Sequence, residues 1–332
     1  MSCAYLAFTD RGLALAHRLS QAQPGSVERC GKDGVRLADW TSRNFALCEA
    51  LVFVGAVGIA VRAIAPHCRS KATDPAVVVV DEAGQFAIPV LSGHLGGANA
   101  LARTLAAACG AVAVITTATD VRGVFAVDEW AKQAGCTVLE PERIKKVSGR
   151  LLAGEPVGFW SEFPVNGTPP AGVSPAPSQQ QADFALTLFP QGEGLHLVPV
   201  IGVLGVGCRR GTTAQQLEAA FAAFCARYAL SPRCICAAAS IDLKQNEAGL
   251  LEFCAAHRWA VSFYSAGQLK AVPGNFTPSA FVCSVTGVDN VCERAAALAA
   301  GGTIRIPKQA ADGVTFALAL RPYAPDWRNQ NG

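Results

Sequence analysis

Short apolar runs of strand length alternate along this 332-residue chain with longer runs that have helical periodicity. In the clearest example Ala76–Asp81 (AVVVVD) and Phe86–Leu91 flank a four-residue turn, and an Ala- and Leu-rich run over Gly96–Cys109 follows and ends at Gly110. The turn between the two apolar runs predicts a β-hairpin. Such alternation is typical of α/β proteins, in which helices cover the faces of a sheet. We therefore expect two α/β domains with largely parallel or mixed sheets flanked by helices.

A segment of different composition interrupts the alternation near the middle of the chain. Residues 164–181 contain five prolines and three consecutive glutamines, which is typical of a linker or a long exposed loop. The alternation resumes after His196 with a predicted strand over Leu197–Leu204. At roughly 100–200 residues per domain the length fits two or three domains. We predict an N-terminal α/β domain over residues 1–140, a middle or linker region over 141–196 and a C-terminal α/β domain over 197–322.

The composition argues against several classes of protein. Charged residues make up 16% of the chain and the net charge is +3, whereas nucleic-acid-binding proteins usually carry a clustered basic face. No apolar segment reaches the about 18 residues of a membrane span, and Asp10 and Arg11 interrupt the N-terminal apolar stretch where a signal peptide would have its core. We expect no nucleic-acid partner, no membrane segment and a cytoplasmic location.

The thirteen cysteines are irregularly spaced and contain no C-x-x-C pair. Most of them lie inside apolar runs, where a free cysteine behaves as a small hydrophobic side chain. This pattern favours buried, unpaired cysteines in a reducing compartment, with a disulfide framework or a zinc site as the less favoured alternative.

A glycine-rich loop, LSGHLGGAN at residues 91–99, joins the second strand of the hairpin to the next helix. Glycines let the backbone approach a ligand closely, and the N–H groups at the start of a helix attract an anion. His94 alone among the five histidines lies in such a loop, and imidazole serves as acid and base near neutral pH. An ordinary strand-to-helix turn capped by Ser92 would have the same sequence, so both interpretations stay open.

Hydroxyl and carboxylate groups follow the next predicted strand, Ala111–Thr116, in the segment TTATD. Ligands of open α/β sheets bind beyond the carboxyl ends of the strands, so Thr116, Thr117 and Asp120 are placed to bind polar groups or to relay a proton. A helix N-cap explains the same residues equally well. Asp128, a little further on, is a weaker candidate that fits a helix cap.

The second half contains the sharpest motif, GVGCRRGTT at residues 205–213. Glycines, Arg209, Arg210 and the start of a helix together form a site suited to a carboxylate or a phosphate. The motif is not a Walker loop, because it has no G-K-[ST], and its glycine spacing does not match the dinucleotide fingerprint. We predict an anion site with both arginines buried beside the glycines.

Three further signals are weaker. Lys71 precedes the strand at residues 76–81 and either pairs with a substrate carboxylate or is simply solvated, the second being favoured from the residue alone. Lys244 and Glu247 are three residues apart and so are spaced to pair on one helical face. Lys308 lies between the two closing strands of the predicted second domain.

Taken together and in this order, the motifs resemble those of the CbiG family, the cobalt-precorrin-5A hydrolases of anaerobic cobalamin biosynthesis. The resemblance extends from about Leu51 to Leu320, and the second domain alone also resembles the small CobE-type protein of the aerobic pathway. The segments that carry it are DPAVVVVDEAGQFAIPVLSGHLGGAN (74–99), ITTATD (115–120), GVGCRRGT (205–212), SIDLKQNEAGL (240–250) and the region from TGVDNVCERAAAL (286–298) to IPK (306–308).

The resemblance implies a hydrolase that acts on a carbon–carbon bond, opens the δ-lactone of the contracted macrocycle and releases acetaldehyde to give cobalt-precorrin-5B. The substrate is a tetrapyrrole with many carboxylate side chains, so several separated cationic loops are expected. The cobalt comes with the substrate, and we therefore expect no cofactor and no protein metal site. A homodimer and transient contacts with neighbouring pathway enzymes are left open.

The resemblance also suggests roles for individual residues. We expect His94, Asp120 and Thr117 to be catalytic, with His94 as acid or base and the N–H groups around Gly96 and Gly97 stabilising the oxyanion. Peripheral carboxylates of the substrate are expected to contact cationic residues in both halves. The predicted substrate-binding residues are Lys71, Ser92, Gly93, Gly96, Gly97, Asn99, Thr116, Gly207, Cys208, Arg209, Arg210, Gly211, Thr212, Ser240, Lys244, Glu247 and Lys308.

Two other classes of function compete with the hydrolase. A non-catalytic carrier that shields a labile corrinoid intermediate would use the same cationic loops, and the loss of His94 would then matter little. A nucleotide-binding enzyme is disfavoured because the chain has no phosphate-binding motif.

Overall fold

A computed structural model of the chain describes residues 1–31, 34–70 and 73–330. The chain forms two compact units. One comprises Met1–Lys132 and Ile144–Glu155, and the other comprises Gln133–Arg143 and the described residues from Pro156 onward. Sheets flanked by helices build both units, so the predicted α/β class is confirmed. The middle region predicted at 141–196 contributes to both units, because its helix 144–152 belongs to the first and its strands belong to the second.

The first unit has a six-stranded sheet of order β2-β1-β3-β4-β5-β6, in which only the β4–β5 pair is antiparallel. Its strands are β1 (Cys3–Ala7), β2 (Gly25–Arg29), β3 (Ala50–Val54), β4 (Ala76–Val80), β5 (Phe86–Leu91) and β6 (Val112–Ala113). Its helices are α1 (Asp10–Ala22), α2 (Leu37–Leu47), α3 (Val57–Ile64), α4 (Ala98–Cys109), α5 (Ala118–Arg122), α6 (Val127–Gln133) and α7 (Ile144–Leu152).

The alternation of side chains along the central strands builds a separate core on each face of this sheet. In β4, Val78 and Val80 belong to the core that α1 and α4 cover. Val77 and Val79 belong instead to the core on the other face, which contains Trp40 of α2 and residues of α3. Because β4 is buried on both faces, its sequence is a continuous run of valines rather than an alternating pattern.

The predicted hairpin is confirmed as the β4–β5 pair. The Asp81 carboxylate accepts hydrogen bonds from the backbone N–H groups of Gln85 (2.8 Å) and Phe86 (2.6 Å), and Gly84 adopts a φ of +69°. The hairpin turns the chain back along the sheet and delivers it to the glycine-rich loop before α4.

The second unit contains two five-stranded sheets, of order β7-β11-β10-β8-β9 and β14-β13-β12-β16-β15. The first has strands β7 (Cys136–Val138), β8 (Val157–Ser161), β9 (Val173–Pro175), β10 (Phe184–Leu186) and β11 (Leu195–Pro199). The second has strands β12 (Gly202–Cys208), β13 (Ile235–Ile241), β14 (Ala260–Tyr264), β15 (Thr303–Ala311) and β16 (Val314–Leu320). The helices are α8 (Ala214–Tyr228), α9 (Ala248–Ala256), α10 (Ala266–Ala271), α11 (Ala280–Thr286) and α12 (Cys292–Ala300).

Helices cover both faces of the second of these sheets. Phe221 of α8 and Phe253 of α9 join the core on one face, and Leu269 of α10 and Ala295 of α12 join the core on the other. The approach of α12 to β12 is very close, because a Cβ at Gly205 would lie 1.8 Å from the carbonyl oxygen of Cys292.

Two strands differ from the sequence prediction. The single strand predicted over Leu197–Leu204 is two strands, β11 and β12, in different sheets. Pro199 has no N–H to continue the ladder, so β11 ends there. The strand predicted over Ala111–Thr116 is only the two residues of β6. The last β5 residue that pairs with β6 is Ala87. Pro89, two residues further along β5, has no N–H to extend this ladder.

The segment at residues 164–181 is not only an exposed linker. It contributes β9, which pairs in parallel with β8 at the edge of its sheet, where proline is tolerated. Gln179 is buried and its amide donates to the carbonyl of Phe189 at 3.2 Å. This segment therefore contains an ordered strand although its composition is rich in proline and glutamine.

Candidate active site

The loop between β5 and α4 needs its glycines for steric reasons. Ser92 has a φ of +56° and Gly97 a φ of +89°, both in the left-handed region. A Cβ at Gly96 would lie 2.3 Å from the Cβ of Ser92, so only glycine fits there. The Ser92 hydroxyl donates to the carbonyl oxygen of Asp74 at 3.0 Å, which ties the loop to the start of β4. This tight turn fixes the backbone that carries His94.

The imidazole of His94 lies between two carboxylates. Its Nε2 is 2.9 Å from Oδ2 of Asp120 in α5, and its Nδ1 is 3.1 Å from Oδ1 of Asp128 in α6. All three side chains are about nine-tenths buried, with exposed fractions of 9–10%. Three elements that are separate in sequence, the glycine-rich loop, α5 and α6, thus converge on one ring.

A second layer of polar contacts holds Asp120. The Asn99 amide donates to Oγ1 of Thr117 at 2.9 Å and to Oδ2 of Asp120 at 3.1 Å. The guanidinium of Arg103, one helical turn further along α4, pairs with the other oxygen of Asp120 and lies 3.5 Å from Oε1 of Glu129. Asn99 and Arg103 share a helix face because they are four residues apart.

The charges in this cluster shift the ionisation of its members. Burial lowers the pKa of His94, but the hydrogen bonds and negative charges of Asp128 and Asp120 outweigh it and raise the pKa to about 9. Burial tends to raise the pKa of Asp120, yet the hydrogen bonds from His94 and Arg103 bring it below its usual value. Burial raises the pKa of Glu129. The cluster is arranged to hold and transfer a proton.

His94, Asp120 and Glu129 also bring potential metal-ligand atoms within 4.8 Å of one another. The guanidinium of Arg103 already lies against both carboxylates of that set. A metal ion would have to displace this built-in cation, so the donor set fits a guanidinium better than a metal.

The other predicted residues of the first unit differ in their exposure and in their contacts. Thr116 is exposed, and Lys71 lies outside the described residues. A Cβ at Gly93 would meet Oδ1 of Asn99 at 2.8 Å, so that glycine admits the Asn99 amide. Among the described residues no acceptor is found for the N–H groups of Gly96 and Gly97, but Gly97 is buried beside the Lys132 side chain, whose Nζ donates to the carbonyl of the half-buried Gly96.

The second unit presents the GVGCRRGTT motif at the end of β12. Arg209 and Arg210 are both exposed, which corrects the prediction that they are buried. The turn lies at the surface because the chain leaves the sheet there, and the Arg209 N–H donates to the carbonyl of Gly313 at 3.2 Å. In the described part of the chain neither guanidinium has a hydrogen-bonding or ion-pair partner. Both are therefore available to an anionic ligand.

A cavity of about 560 Å³ adjoins Arg210 at the first turns of α8 and α9. Its lining combines small and polar residues with side chains of both charges. The lining residues are Arg210, Gly211, Thr212, Thr213, Leu243, Asn246, Glu247, Ala248, Gly249 and Glu252. The predicted anion-binding loop thus opens onto a concavity large enough for a substituent of a large ligand.

Other predicted binding residues around this motif have internal partners. Lys244 forms an ion pair with Glu247 at 2.9 Å, and Glu247 also accepts from the N–H of Gly211 at 3.0 Å. The hydrogen bond from Lys244 and that from the Gly211 N–H lower the pKa of Glu247. Ser240 is fully buried and donates to the carbonyl of Val206 at 2.7 Å. Its hydroxyl joins two strands and is not offered to a ligand.

The last predicted positions lie in the central strand β12 and in the edge strand β15 of the same sheet. The carbonyl of Gly207 accepts from Oγ1 of Thr315 at 3.3 Å. The Cys208 thiol is partly buried, and that burial raises its pKa. The backbone N–H of Lys308 donates to the buried carboxylate of Glu293 at 2.6 Å, which fixes the start of its side chain.

Three family models match successive parts of the chain. They are described as Cobalamin synthesis G N-terminal (residues 39–120), Cobalamin biosynthesis central region (125–189) and Cobalamin synthesis G C-terminus (202–319). The chain is 34% identical to a cobalt-precorrin-5A hydrolase of Salmonella typhimurium over 96% of this chain and 97% of that protein. The chain belongs to the cobalamin synthesis G (CbiG) family.

Other proteins are similar to all or part of this chain. A cobalt-precorrin-5A hydrolase of Priestia megaterium is 34% identical over 83% of this CbiG chain and 79% of that protein. The CobE protein of a Sinorhizobium species is 34% identical over 35% of this chain and 78% of its own. A solved structure of a cobalamin biosynthesis protein G homologue from Sulfolobus solfataricus is 21% identical, covers 97% of each chain and has a TM-score of 0.43.

The structure adds residues of this CbiG protein that the sequence analysis missed. Arg103 and Glu129 were not selected, and Asp128 was treated as a helix cap. A signal was present for Arg103, since it lies one helical turn after Asn99 in a helix that opens at the glycine-rich loop. Asp128 and Glu129 are two adjacent acids at the start of α6, a pattern that a helix N-terminus explains equally well. No described helix is both long and apolar enough to cross a membrane.

Proposed function

We propose that this CbiG-family protein hydrolyses cobalt-precorrin-5A, opening its δ-lactone and releasing acetaldehyde to give cobalt-precorrin-5B. The relatives that match most of its length are named cobalt-precorrin-5A hydrolases. The single observation that carries the proposal to this chain is the buried row Asp120–His94–Asp128, which places a proton-transfer group on the glycine-rich loop. A protein that only shielded the intermediate would not require such a group.

The proposed reaction consumes one water and needs no net oxidation or reduction. Water adds to the lactone carbonyl and the acyl C–O bond breaks, which gives a carboxylic acid and a hydroxyl on the two-carbon fragment. That hydroxyl then gives its proton to solvent water as the bond between its carbon and the macrocycle breaks, and acetaldehyde leaves. The electron pair of this bond stays on the macrocycle carbon, which takes up a proton.

The residues of the first unit supply what these steps require. The N–H groups of Gly96 and Gly97 have no acceptor among the described residues, and that of the half-buried Gly96 suits the oxyanion that forms when water adds to the carbonyl. His94 lies beside them on the same loop and suits the proton transfers. Thr117 and Asp120 are linked through the Asn99 amide and are placed to orient a water molecule or a pyrrole nitrogen.

The second unit contains exposed cationic groups that suit carboxylates. Arg209 and Arg210 are exposed and unpaired among the described residues, and a guanidinium binds a carboxylate with two parallel hydrogen bonds. Lys244 is committed to Glu247, so its contribution to binding would require that pair to open. We propose that the cobalt enters with the substrate and that the protein supplies no resident metal of its own.

The experiment is an anaerobic incubation of the purified protein with cobalt-precorrin-5A, with an assay for acetaldehyde and mass spectrometry of the corrinoid. We expect many turnovers of acetaldehyde release above the protein-free control and loss of a two-carbon fragment from the macrocycle. Tight binding without release would contradict the proposal and favour a corrinoid carrier. Labelled nucleotides in the same preparation are expected not to bind.

A further inference from the structure

Both ring nitrogens of His94 are engaged with carboxylate oxygens at hydrogen-bonding distance, 2.9 Å to Asp120 and 3.1 Å to Asp128. A neutral imidazole has one N–H and one lone pair. It can donate to only one of the two carboxylates, and its lone pair would then face the lone pairs of the other. A second ring proton removes this repulsion, because each nitrogen then carries an N–H that faces its own carboxylate.

The surrounding charges decide where this extra proton lies. The groups facing His94 are Asp120 from α5, Asp128 and Glu129 from α6 and Arg103 from α4. Asp120 accepts from Asn99 and Arg103 as well as from the ring, and these donors lower its pKa and hold it as a carboxylate. The extra proton is thus disfavoured on Asp120.

Asp128 has a simpler environment than Asp120. Its Oδ1 contacts the ring and also accepts from the backbone N–H of Glu129 at 3.2 Å. The oxygen of Asp128 that faces the ring therefore already accepts from a backbone N–H at the start of α6. The pKa of His94 is raised to about 9 by the two partners despite the cost of burial, which agrees with a charged ring at neutral pH.

We propose that Asp128 is a positioning residue that, with Asp120, holds His94 as an imidazolium in the resting protein, so that His94 is the acid of the reaction and not the base that activates water. The assignment of the acid rests on the proposed function, whereas the protonation state does not. In the proposed reaction one ring N–H leaves its carboxylate and gives its proton to the macrocycle carbon when the bond to the two-carbon fragment breaks. The ring then regains a proton from solvent before the next turnover.

The position of Asp128 gives this proposal a clean test. Asp128 does not contact Arg103 among the described contacts, so Asp128→Asn removes one carboxylate from the ring and leaves the Arg103 pairs with Asp120 and Glu129 in place. Asparagine keeps the size of the side chain. A matched control is Glu218→Gln, which removes the carboxylate 2.7 Å from Nε2 of His257, outside this cluster.

The first measurement is the ring-nitrogen spectrum of the full-length protein labelled with ¹⁵N-histidine, followed between pH 5 and 10. The five histidines give few signals, and His94→Gln identifies the one from His94. We expect both nitrogens of His94 to show imidazolium shifts at pH 7.5. In Asp128→Asn the titration should move to lower pH by at least about one unit, since an opposite charge at this distance shifts a pKa by about 1–3 units. Glu218→Gln should leave the His94 titration unchanged.

The second measurement is the pH profile of acetaldehyde release. If His94 is the acid, kcat/KM falls as the pH rises through the His94 pKa, and in Asp128→Asn this fall begins at lower pH. Asp128→Glu should restore part of the shift, whereas a purely structural defect would lower the rate equally at every pH.

The two proposals can fail separately. A neutral His94 ring at pH 7.5 in the spectrum would overturn the inference even if acetaldehyde is released. An imidazolium in a protein that releases no acetaldehyde would leave the protonation state standing and overturn the proposed function. A rate that rises rather than falls through the His94 pKa would show that His94 acts as the base.

Discussion

At the scale of single residues, the proposed reaction depends on ordinary side chains whose surroundings change their properties. His94 is made distinctive by its two carboxylate partners and by burial, which strengthens charge interactions relative to water. Arg103 extends the row to four alternating charges, because it neutralises Asp120 on the side away from the ring. Arg209 and Arg210 differ from His94 because they are exposed. In binding a substrate carboxylate they would act as solvated charges.

Replacing His94 with alanine should reduce turnover by about 10²–10⁴-fold, the usual contribution of a positioned acid or base. Substrate affinity should change little, because the ring's partners belong to the protein. Single-turnover acetaldehyde release and equilibrium binding of the substrate measure the two quantities. His17, an exposed histidine of α1, provides the control His17→Ala, and an equal loss in both variants would remove His94 from the mechanism.

Replacing Arg209 with glutamine should weaken substrate binding by about tenfold, because one hydrogen-bonded charge pair is lost. Glutamine keeps part of the aliphatic stem that packs against Gly313. The maximal rate should be nearly unchanged, which separates this residue from His94. Arg233, another exposed arginine of the second unit, gives the matched control Arg233→Gln. Affinity that is the same in both variants would exclude a binding role for Arg209.

At the scale of elements, each site is built where a strand ends and a helix begins. The glycine-rich loop joins β5 to α4, and the arginine loop joins β12 to α8. In both, the backbone must turn sharply, which explains the glycines and the strained φ of Ser92. The arginine loop also packs closely against α9, because a Cβ at Gly249 would lie 2.2 Å from the carbonyl oxygen of Thr212.

Gly205→Ala should destabilise the second unit by about 1–3 kcal/mol or more, because the new Cβ would collide with the Cys292 carbonyl of α12. Urea unfolding followed by circular dichroism measures the change. Gly149→Ala is the control, since it lies in α7 with open space around its Cβ position. There alanine should stabilise the helix by about 0.5–1 kcal/mol. An unaffected Gly205→Ala protein would show that α12 can move away from β12 at no cost.

At the scale of the whole molecule, the charge pattern matches a large anionic substrate. The net charge is only +3, so attraction comes from particular loops rather than from a uniformly basic surface. The row around His94 is buried, whereas the arginine loop is open to solvent. Salt screens exposed charges much more than buried ones, with a Debye length of about 8 Å at physiological ionic strength.

Raising the ionic strength should therefore lower kcat/KM for the polycarboxylate substrate and leave kcat almost unchanged. Initial rates of acetaldehyde release at a series of salt concentrations measure both. The slope against salt should be smaller in the Arg209→Gln variant, which has lost one of the exposed charges. A kcat that falls in parallel with kcat/KM would contradict the assignment of exposed cations to binding and buried ions to the chemistry.

The sequence by itself determined the features that depend on local physics. The run of valines in β4, the turn at Asp81 and the glycines of both loops are set by side-chain period and allowed φ values. They fixed the α/β class, the hairpin and the location of the two motifs. The order of the motifs was also enough to indicate the family.

Only the tertiary structure decided which side chains meet. His94 contacts Asp120 and Asp128 because the loop after β5, α5 and α6 converge on one ring. Such contacts depend on sheet order and helix packing, which no local pattern encodes. The same reason explains the failures. A proline at residue 199 divided an apolar run between two sheets, the proline-rich segment found a sheet edge, and the arginines expected to be buried lie at the surface because their strand ends there.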